Sequence, residues 1–343
     1  MSSRIYSGLL SLDLPAESAP GQQSAHTVNI HQISFAHDGA NFDPKVSRDG
    51  QTLVFSSTQH RATSDIYMQR VGSRVVSRLT DDPAHDVMPA ISPDGSRIAF
   101  SSNRSGSWDI FVMPITGGKA VQITSEAAND LHPSWSPDGQ KLVFSRLGTT
   151  SGRWELWVVD VFNAAQTEFI GYGLFPEWSP LPATGFAGAD QILFQRSRER
   201  GKRTFSIWTL DYNRSTHQAS NETEVVSNPA YALINPTWSP DAARIVYAAV
   251  PNPEEWSGRA DIAPTSASLW MVGVDGRGQV NLTSGSSVDL MPAWGGNGRV
   301  FFVSNRGGVE NLWSLEIAPA ILAATGELPK GGETFTSAPA DRE

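Results

Sequence analysis

"ISPDGSRIAFSSNRSGSWDIFVM" (Ile91–Met113) returns in similar form as "WSPDGQKLVFSRLGTTSGRWELWVV" (Trp135–Val159). Both follow a proline that has a hydrophobic residue two positions before it and another two positions after it. Prolines of this kind occur six times along the chain: Pro44, Pro89, Pro133, Pro176, Pro236 and Pro292. Self-similarity at a period of about 45 residues indicates a repeat architecture built from one supersecondary unit.

Each copy continues with the same series of short runs. In the second copy these are "RIAFSS" (Arg97–Ser102), "DIFV" (Asp109–Val112) and "VQIT" (Val121–Thr124). Runs rich in β-branched and aromatic residues, bounded by Gly, Pro, Asn and Asp, are typical of strands. In Ser-Pro-Asp-Gly the proline presets φ and the glycine accepts a positive φ, which predicts a tight turn. Each copy is therefore predicted to be a four-stranded antiparallel blade, and the chain an all-β, six-bladed β-propeller.

The ends of the chain are predicted to close the ring. The sixth copy supplies three strands, whereas "VNIHQIS" (Val28–Ser34) resembles "KAVQITS" (Lys119–Ser125) of the second copy. We expect residues 28–34 to complete the last blade and so remove an open sheet edge. The propeller is predicted to span 26–318, between flexible tails at 1–25 and 319–343. The blades are expected near 40–80, 84–124, 129–171, 173–227, 232–283 and 288–317.

Composition excludes several classes of function. The formal net charge of −9 argues against a general nucleic-acid binder, which needs a basic face to neutralise phosphates. The absence of cysteine excludes disulfides, thiolate metal sites and cysteine nucleophiles. No apolar run approaches the roughly 20 residues needed to span a membrane. Residues 1–30 do not have the form of a secretory signal.

Motifs that would name a catalytic activity are missing from the sequence. It contains no Gly-x-Ser-x-Gly, no His-Glu-x-x-His and no phosphate-binding Gly-x-x-x-x-Gly-Lys. The chain has eleven tryptophans, which raises the question of an aromatic or carbohydrate ligand. Most of them recur at two positions of the repeat, and this recurrence predicts packing between blades. The recurring residues are Trp135, Trp178, Trp238 and Trp294 at one position, and Trp157, Trp208, Trp270 and Trp313 at the other.

The loop into each first strand supplies polar candidates for a binding site. In a propeller these loops converge on one mouth of the central channel, and converging carboxylates favour Ca²⁺ or another divalent cation. The alternative is that each aspartate accepts backbone N–H bonds from its own turn. The candidates lie three residues before the repeat proline (Asp86, Asp130 and Asp289) or one residue before it (Asp43, His132 and Asn235).

Insertions between the second and third strands of blades four and five are expected on the same face. Insertions on one face of a repeat protein often mark its binding face. "RSRERGKRT" (Arg196–Thr204) is a basic segment in an acidic protein, and "VPNPEEWSGRADIAPTSAS" (Val250–Ser268) carries two adjacent carboxylates. The basic segment is interpreted as a docking point for an acidic partner, a contact to the acidic insertion, or a solvated hairpin tip. The candidates are Arg196, Arg198, Arg200, Lys202 and Arg203, and then Glu254, Glu255 and Trp256.

The succession of Ser-Pro-Asp-Gly, a strand ending in Phe-Ser, and Gly-x-x-Asp-Ile-(Tyr/Phe) resembles the repeat of TolB-like six-bladed propellers, a branch of the WD-repeat-like β-propellers. The resemblance covers about residues 28–317 and is strongest in the first three copies. It implies a bacterial, periplasmic or otherwise extracytoplasmic protein of the cell envelope, with a cytoplasmic location as the alternative. TolB itself carries an α/β domain before its propeller, whereas about 25 residues precede the predicted ring here.

We therefore hypothesise a non-catalytic scaffold that needs no cofactor and forms part of a larger assembly. It would bind a protein or peptide partner through the inserted face and the channel mouth. The alternative hypothesis is a hydrolase or lyase of carbohydrates or small molecules, with a divalent cation at the mouth. Six-bladed propellers host such chemistry, but analogy of fold is a weak warrant for it.

Overall fold

A computed structural model describes residues 29–165, 167–197, 205–251 and 264–326. The first strand, β1 (Ile30–Gln32), precedes the first blade in the chain. Blade one contains β2 (Asn41–Val46), β3 (Thr52–Ser57), β4 (Asp65–Arg70) and β5 (Val76–Arg78). Blade two contains β6 (Asp86–Ile91), β7 (Arg97–Ser102), β8 (Asp109–Pro114) and β9 (Val121–Gln122). Blade three contains β10 (Asp130–Trp135), β11 (Lys141–Leu147), β12 (Trp154–Asp160) and β13 (Thr167–Tyr172).

The later blades follow the same order of strands. Blade four contains β14 (Leu174–Trp178), β15 (Asp190–Ser197), β16 (Phe205–Asn213) and β17 (Gln218–Val226), with a 3-10 turn (Phe186–Gly188) between the first two strands. Blade five contains β18 (Tyr231–Trp238), β19 (Arg244–Pro251), β20 (Ser268–Gly273) and β21 (Val280–Asn281). Blade six contains β22 (Asp289–Trp294), β23 (Arg299–Ser304) and β24 (Asn311–Glu316). A helix, α1 (Ala318–Thr325), follows the last blade.

The six sheets form a closed ring. Each is an antiparallel sheet of four strands, and its first strand contacts the first strands of both neighbouring blades, with β22 touching β2. These inner strands all begin on one face of the ring, here called the entry face, which also carries the loops between second and third strands. They end on the opposite face, the turn face. The predicted six-bladed all-β propeller is therefore confirmed.

Strand β1 completes blade six, as the sequence predicted. It pairs antiparallel with β24, so the order of the last sheet is β1-β24-β23-β22. The side chain of Ser34 accepts a hydrogen bond from the Leu312 N–H at 2.8 Å. Asn311 Oδ1 accepts bonds from the Ser34 hydroxyl (2.9 Å) and the Ala36 N–H (2.8 Å). The closure therefore joins residues far apart in the chain, which removes one exposed sheet edge.

The resemblance of the closing segment to the other fourth strands has a physical counterpart. In three other blades a threonine hydroxyl just after the fourth strand accepts a backbone N–H from the third strand at 2.9 Å. These threonines are Thr80, Thr124 and Thr283. Ser34 makes the same bond in blade six, so the N-terminal segment reproduces the local chemistry of a fourth strand.

The Ser-Pro-Asp-Gly turn is closed by its own side chains. In blade two the Ser92 hydroxyl donates to Asp94 Oδ1 at 2.6 Å, and the Ser96 N–H donates to the same oxygen at 3.1 Å. The Arg97 N–H donates to Ser92 Oγ at 2.9 Å, and Gly95 takes a φ of +71°. Hydrogen bonds to the ionised carboxyl lower the pKa of Asp94 to about 2. The turn residues are therefore engaged in architecture.

Hydrophobic side chains fill the interfaces between neighbouring blades. Phe100, Phe144 and Phe194 occupy one position of the second strand and are fully buried. Trp135 packs between blades two and three and donates its Nε1–H to the Ala90 carbonyl at 3.0 Å. Trp178 and Trp238 are buried at the next two interfaces, which confirms the predicted packing between blades for these three tryptophans. The other five recurring tryptophans are half-buried.

Residues 319–325, which the sequence placed in a tail, lie in α1. Ala320 and Ile321 are buried, and α1 contacts β21. The helix ends at Gly326, whose φ of +71° and N–H bond to the Leu322 carbonyl form a C-terminal cap. The apolar run of this segment explains the difference, because it covers a hydrophobic part of blades five and six. Within the described residues, no helix is long and apolar enough to span a membrane.

Candidate functional site

One residue in every inner strand has a left-handed backbone conformation although none of the six is glycine. It is always the residue before the repeat proline, and its φ lies between 51° and 58°. At each of these points the pairing with the second strand shifts register, which defines a β-bulge. Such strain persists where the surrounding structure enforces it, often at functional sites. The residues are Asp43, Met88, His132, Phe175, Asn235 and Met291.

The six bulge residues line a cavity on the axis of the ring, together with the repeat prolines, Lys45 and Glu177. We call this cavity of about 70 Å³ the upper chamber. A bulge re-aims a side chain that a regular strand would direct elsewhere. The sequence predicted Asp43, His132 and Asn235 at the channel mouth; it missed Met88, Phe175 and Met291, although their place beside the repeat proline marks them equally.

Hydrogen bonds between neighbouring blades hold the bulges in place. The Met88 N–H donates to Asp43 Oδ2 and to Ser56 Oγ, both at 3.2 Å and both in the preceding blade. The Asn235 N–H likewise donates to Gln195 Oε1 at 2.7 Å. At these two bulges the backbone N–H is therefore bonded to the preceding blade, so the packing of neighbouring blades helps to set the chamber wall.

Two polar side chains of the wall have unsatisfied atoms. His132 is 8% exposed and Asn235 is 6% exposed. Among the described residues, no hydrogen-bond partner is found for either ring nitrogen of His132 or for Oδ1 of Asn235. Burial, with a smaller contribution from the charge of Lys45, lowers the pKa of His132 to about 3. The imidazole is therefore neutral at physiological pH, with one nitrogen able to donate and the other to accept.

An ion pair across the axis forms the floor of the upper chamber. Lys45 Nζ lies 3.4 Å from Glu177 Oε2, and the two residues belong to opposite blades, one and four. The Thr237 hydroxyl donates to Glu177 Oε1 at 3.1 Å. A second cavity, of about 140 Å³, lies on the side of the turn face and is also lined by Lys45 and Glu177. The pair thus divides the channel into two parts.

The three aspartates farther from the proline have a different environment. Each begins an inner strand, is at most 1% exposed, and binds an arginine of its own blade through both carboxylate oxygens at 2.7–2.8 Å. These pairs are Asp86–Arg104, Asp130–Arg146 and Asp289–Arg306. The sequence analysis offered a cation or a turn as the partner of these carboxylates, and the structure instead supplies arginines. The sequence does contain a signal for these ion pairs, because the copies with this aspartate also have an arginine at or just after the end of the second strand.

The arginines also stack on the aromatic residue of the third strand. The guanidinium carbon of Arg146 lies 4.9 Å from the centre of the Trp157 ring, and that of Arg104 lies 4.9 Å from Phe111. Arg196, a predicted site residue, follows the same rule: it stacks on Trp208 at 3.9 Å and pairs with Glu222 at 2.6 Å. Arg196 is thus held against its own blade.

Most of the predicted insertion residues cannot be placed. Arg198, Arg200, Lys202 and Arg203, and then Glu254, Glu255 and Trp256, lie outside the described residues. The described part of the chain contains no group of three or more His, Cys, Asp or Glu side chains arranged to hold a metal ion. Of the predicted site residues, the structure therefore brings together Asp43, His132 and Asn235, which line the upper chamber.

Comparison with protein families and known proteins supports the fold. Residues 23–180 match the family model of the TolB beta propeller domain. A segment of 102 residues is 28% identical to a protein TolB homolog from Chlorobium luteolum, and covers 29% of this chain. The match spans about a fifth, 22%, of that relative's length.

Solved structures extend the similarity over the ring. A TolB candidate from Agrobacterium tumefaciens superposes with a TM-score of 0.57 at 18% identity, covering 81% of this chain and 90% of that one. An oligogalacturonate lyase from Vibrio parahaemolyticus superposes with a TM-score of 0.53 at 14% identity, covering 87% and 99% respectively. At such identities the structures establish the fold alone. Together with the six sheets described above, they show that the chain is a six-bladed β-propeller whose residues 23–180 match the TolB beta propeller domain.

Proposed function

We propose that this protein is a non-catalytic binding module that holds a protein or peptide partner on its entry face. The observation that carries the proposal is the upper chamber, which opens at the axis of that face. Its wall contains buried polar atoms of His132 and Asn235 that have no partner within the described part of the chain. Buried polar atoms are normally satisfied, so unsatisfied ones facing a cavity favour a ligand there. The TolB-like fold supports a protein partner as the source of that ligand.

The size of the upper chamber favours one group of a larger partner over a complete small-molecule substrate. Pockets for small ligands usually measure roughly 300–1,000 Å³, whereas this chamber measures about 70 Å³. The Lys45–Glu177 pair closes it below. A side chain or a chain end can enter such a space while the rest of the partner lies on the surrounding face.

The rim of the chamber is preorganised for a docking role. Each of three blades fixes the start of its inner strand with a buried aspartate–arginine pair, so the loops around the mouth rest on a rigid support. The insertions of blades four and five are part of this proposal because of their charge. The basic segment Arg196–Thr204 suits an acidic part of the partner. An extracytoplasmic location within a larger envelope assembly completes the proposal.

Affinity purification of the full-length protein from its native organism tests the role of the entry face. Two variants are compared with wild type: neutralisation of Arg198, Arg200, Lys202 and Arg203, and deletion of residues 252–263. The control neutralises Arg48 and Lys119, two exposed basic residues of the turn face. We expect both entry-face variants to lose a partner that the control retains. Equal capture by all of the proteins would overturn this assignment of the binding face.

A second candidate is a hydrolase or lyase with a divalent cation at the mouth. It is favoured by the convergence of Asp43, His132 and Asn235 on one chamber, because carboxylate, imidazole and amide groups are all metal ligands. The fold shared with an oligogalacturonate lyase is compatible with it. Metal analysis with and without chelator separates the candidates: stoichiometric metal and a thermal shift with Ca²⁺ or Mn²⁺ would favour the enzyme.

A further inference from the structure

Two buried side chains present unsatisfied hydrogen-bonding atoms in the wall of the upper chamber. His132 comes from blade three and Asn235 from blade five, and both are more than nine-tenths buried. Neither ring nitrogen of His132 nor Oδ1 of Asn235 has a hydrogen-bond partner among the described residues. Buried polar atoms are normally paired, so these atoms indicate a polar group that enters the chamber.

The unsatisfied atoms include both a donor and acceptors. The imidazole of His132 is neutral at physiological pH, because burial, with a smaller contribution from the charge of Lys45, lowers its pKa to about 3. One ring nitrogen therefore donates and the other accepts, and Oδ1 of Asn235 accepts. The two side chains together offer one donor and two acceptors. The complementary ligand group has one accepting oxygen and two N–H donors.

The charged groups of the lining already have partners within the fold. Lys45 Nζ lies 3.4 Å from Glu177 Oε2, and the Thr237 hydroxyl donates to Glu177 Oε1 at 3.1 Å. The Asp43 carboxylate accepts the Met88 N–H at 3.2 Å. An ion that entered the chamber would lose its water and would have to compete with these contacts for an opposite charge. Burying a charge in this way costs more than burying an uncharged polar group, so the chamber favours an uncharged ligand.

The rest of the wall and the volume of the chamber limit the length of the ligand group. Met88 and the repeat prolines supply apolar surface, and methionine adapts its shape to aliphatic neighbours. The Phe175 ring lies 3.7 Å from the ring of His132, centre to centre, so ring packing holds the imidazole in place. About 70 Å³ holds roughly five water-sized groups, which fits an amide with one or two methylenes.

We infer that the upper chamber binds an uncharged primary carboxamide, supplied by the partner protein as a glutamine or asparagine side chain. The amide carbonyl accepts from the donating ring nitrogen of His132, and one amide N–H donates to Oδ1 of Asn235. One water molecule can join the second amide N–H to the accepting ring nitrogen. This inference rests on the proposed function for the source of the amide, while the chemistry of the chamber stands independently of it.

The first experiment uses propionamide, which reproduces the end of a glutamine side chain. The full-length protein is titrated with propionamide, n-propanol, sodium propionate or n-propylammonium chloride at constant ionic strength. Melting temperature and the NMR signals of isotope-labelled histidine rings are recorded, with the His132 signals assigned from their absence in a His132→Phe variant. We expect propionamide alone to raise the melting temperature and to shift the His132 signals saturably, with a dissociation constant on the order of millimolar.

Variants of the wall test whether His132 and Asn235 act together. His132→Phe keeps a ring against Phe175 and should abolish the binding of propionamide, because the ring nitrogens are lost. Asn235→Gly suits the left-handed backbone of this position, with its φ of 51°, and keeps the backbone N–H bond to Gln195. Loss of the amide oxygen should weaken binding roughly tenfold. The matched control is His37→Phe, which changes an exposed histidine outside the chamber and should bind as wild type.

Each of four results would overturn the inference. Equal binding of n-propanol would show a general apolar pocket, and stronger binding of propylammonium or propionate would show that the chamber selects a charge. Equal weakening by His132→Phe and His37→Phe would show that the ring of His132 is not the contact. Absence of any saturable shift of the His132 signals would show that the chamber holds only water.

Once the partner is captured, substitutions in its bound segment identify the source of the amide. Replacement of the docking glutamine by glutamate, or of the docking asparagine by aspartate, keeps the shape of the side chain and should abolish capture because it adds a charge. If capture survives the replacement of every glutamine and asparagine in the segment, the carboxamide inference is wrong while the proposed function stands. If propionamide binds but no partner depends on the entry face, the proposed function is wrong and the chamber chemistry stands.

Discussion

Two sets of polar residues surround the same channel mouth, and their environments are opposite. Asp86, Asp130 and Asp289 are each bound by an arginine through both oxygens, with distances of 2.7–2.8 Å. His132 lies two residues after Asp130, and Asn235 has the same position in blade five, one residue before the repeat proline. Both are buried with polar atoms that have no partner among the described residues. The first set supports the fold, and the second is left unsatisfied by it.

The difference follows from the relation of each set to the repeat. The aspartates recur together with their arginines, so the partner is carried within the same blade. The residue before the proline differs in chemistry from blade to blade while keeping its left-handed backbone. A residue that repeats with its partner is explained by architecture. One whose backbone repeats while its side chain varies indicates a site with its own chemistry.

The largest effect is expected from breaking an aspartate–arginine pair. Arg146→Met leaves the Asp130 carboxylate buried and unpaired, since Asp130 is fully buried and Arg146 is 7% exposed. We expect the free energy of unfolding to fall by about 3–5 kcal/mol, measured by urea denaturation. The double variant Asp130→Leu/Arg146→Met should recover most of that loss. A loss below about 1 kcal/mol for the single variant would contradict a structural role.

The next largest effect is expected from replacing His132, and this change should stabilise the folded protein. Burial lowers the pKa of His132 in the folded protein to about 3, below its ordinary value of 6.5, so the unfolded chain binds a proton first as the pH falls. Wild-type stability should therefore decline below pH 6.5, by about 1.4 kcal/mol for each pH unit from this residue, until pH approaches 3.

His132→Phe should remove that component and, at pH 8, stabilise the protein by about 1 kcal/mol because no unsatisfied nitrogen remains buried. Denaturation curves of both proteins from pH 8 to pH 4 provide the measurement. Parallel pH profiles for the two proteins would show that His132 is satisfied in the folded state. That result would weaken the contrast between the two sets.

A smaller loss is expected from Ser92→Ala in the turn of blade two. The change removes the hydroxyl that donates to Asp94 and that accepts the Arg97 N–H. We expect a loss of about 1 kcal/mol at pH 7 in urea denaturation. Because the folded pKa of Asp94 is depressed to about 2, its contribution is present above pH 3.8 and is lost as the pH falls toward 2. The variant should thus approach wild type in acid, and a constant difference would contradict this assignment.

The smallest effect is expected from the ion pair between the opposite blades. Lys45 and Glu177 are partly exposed, at 35% and 20% of their side-chain surface. Exchange of the pair, Lys45→Glu with Glu177→Lys, should change the free energy of unfolding by less than about 1 kcal/mol. Urea denaturation of the exchanged and wild-type proteins measures the difference, and a loss above about 2 kcal/mol would contradict a minor role for this pair.

Much of the fold could be predicted from the sequence because its information is local and repeated. Six prolines, the Ser-Pro-Asp-Gly turns and the aromatic strand centres each specify a short-range structure, and Ser34 marks the closing segment by its likeness to Thr124. Helix α1 was missed because its apolar residues make sense only against the blades they cover. The site was predicted in part. The position just before the repeat proline indicated which residues lie at the channel mouth, but it could not show which polar groups would find hydrogen-bond partners.

The sequence by itself determined the blade, its repetition and the way in which the ring closes, because turns, strand periodicity and aromatic core positions act over a few residues. Only the tertiary structure decided which polar residues are paired within the fold and which line the upper chamber with atoms that have no partner among the described residues. That decision depends on contacts that form only in the folded chain: Arg146 reaches Asp130 within one blade, Lys45 reaches Glu177 across the axis, and nothing among the described residues reaches the ring nitrogens of His132. Hydrogen bonds form at distances of a few ångströms, so an aspartate and an arginine that recur together in the blade leave a trace in the sequence, whereas contacts between different blades leave none.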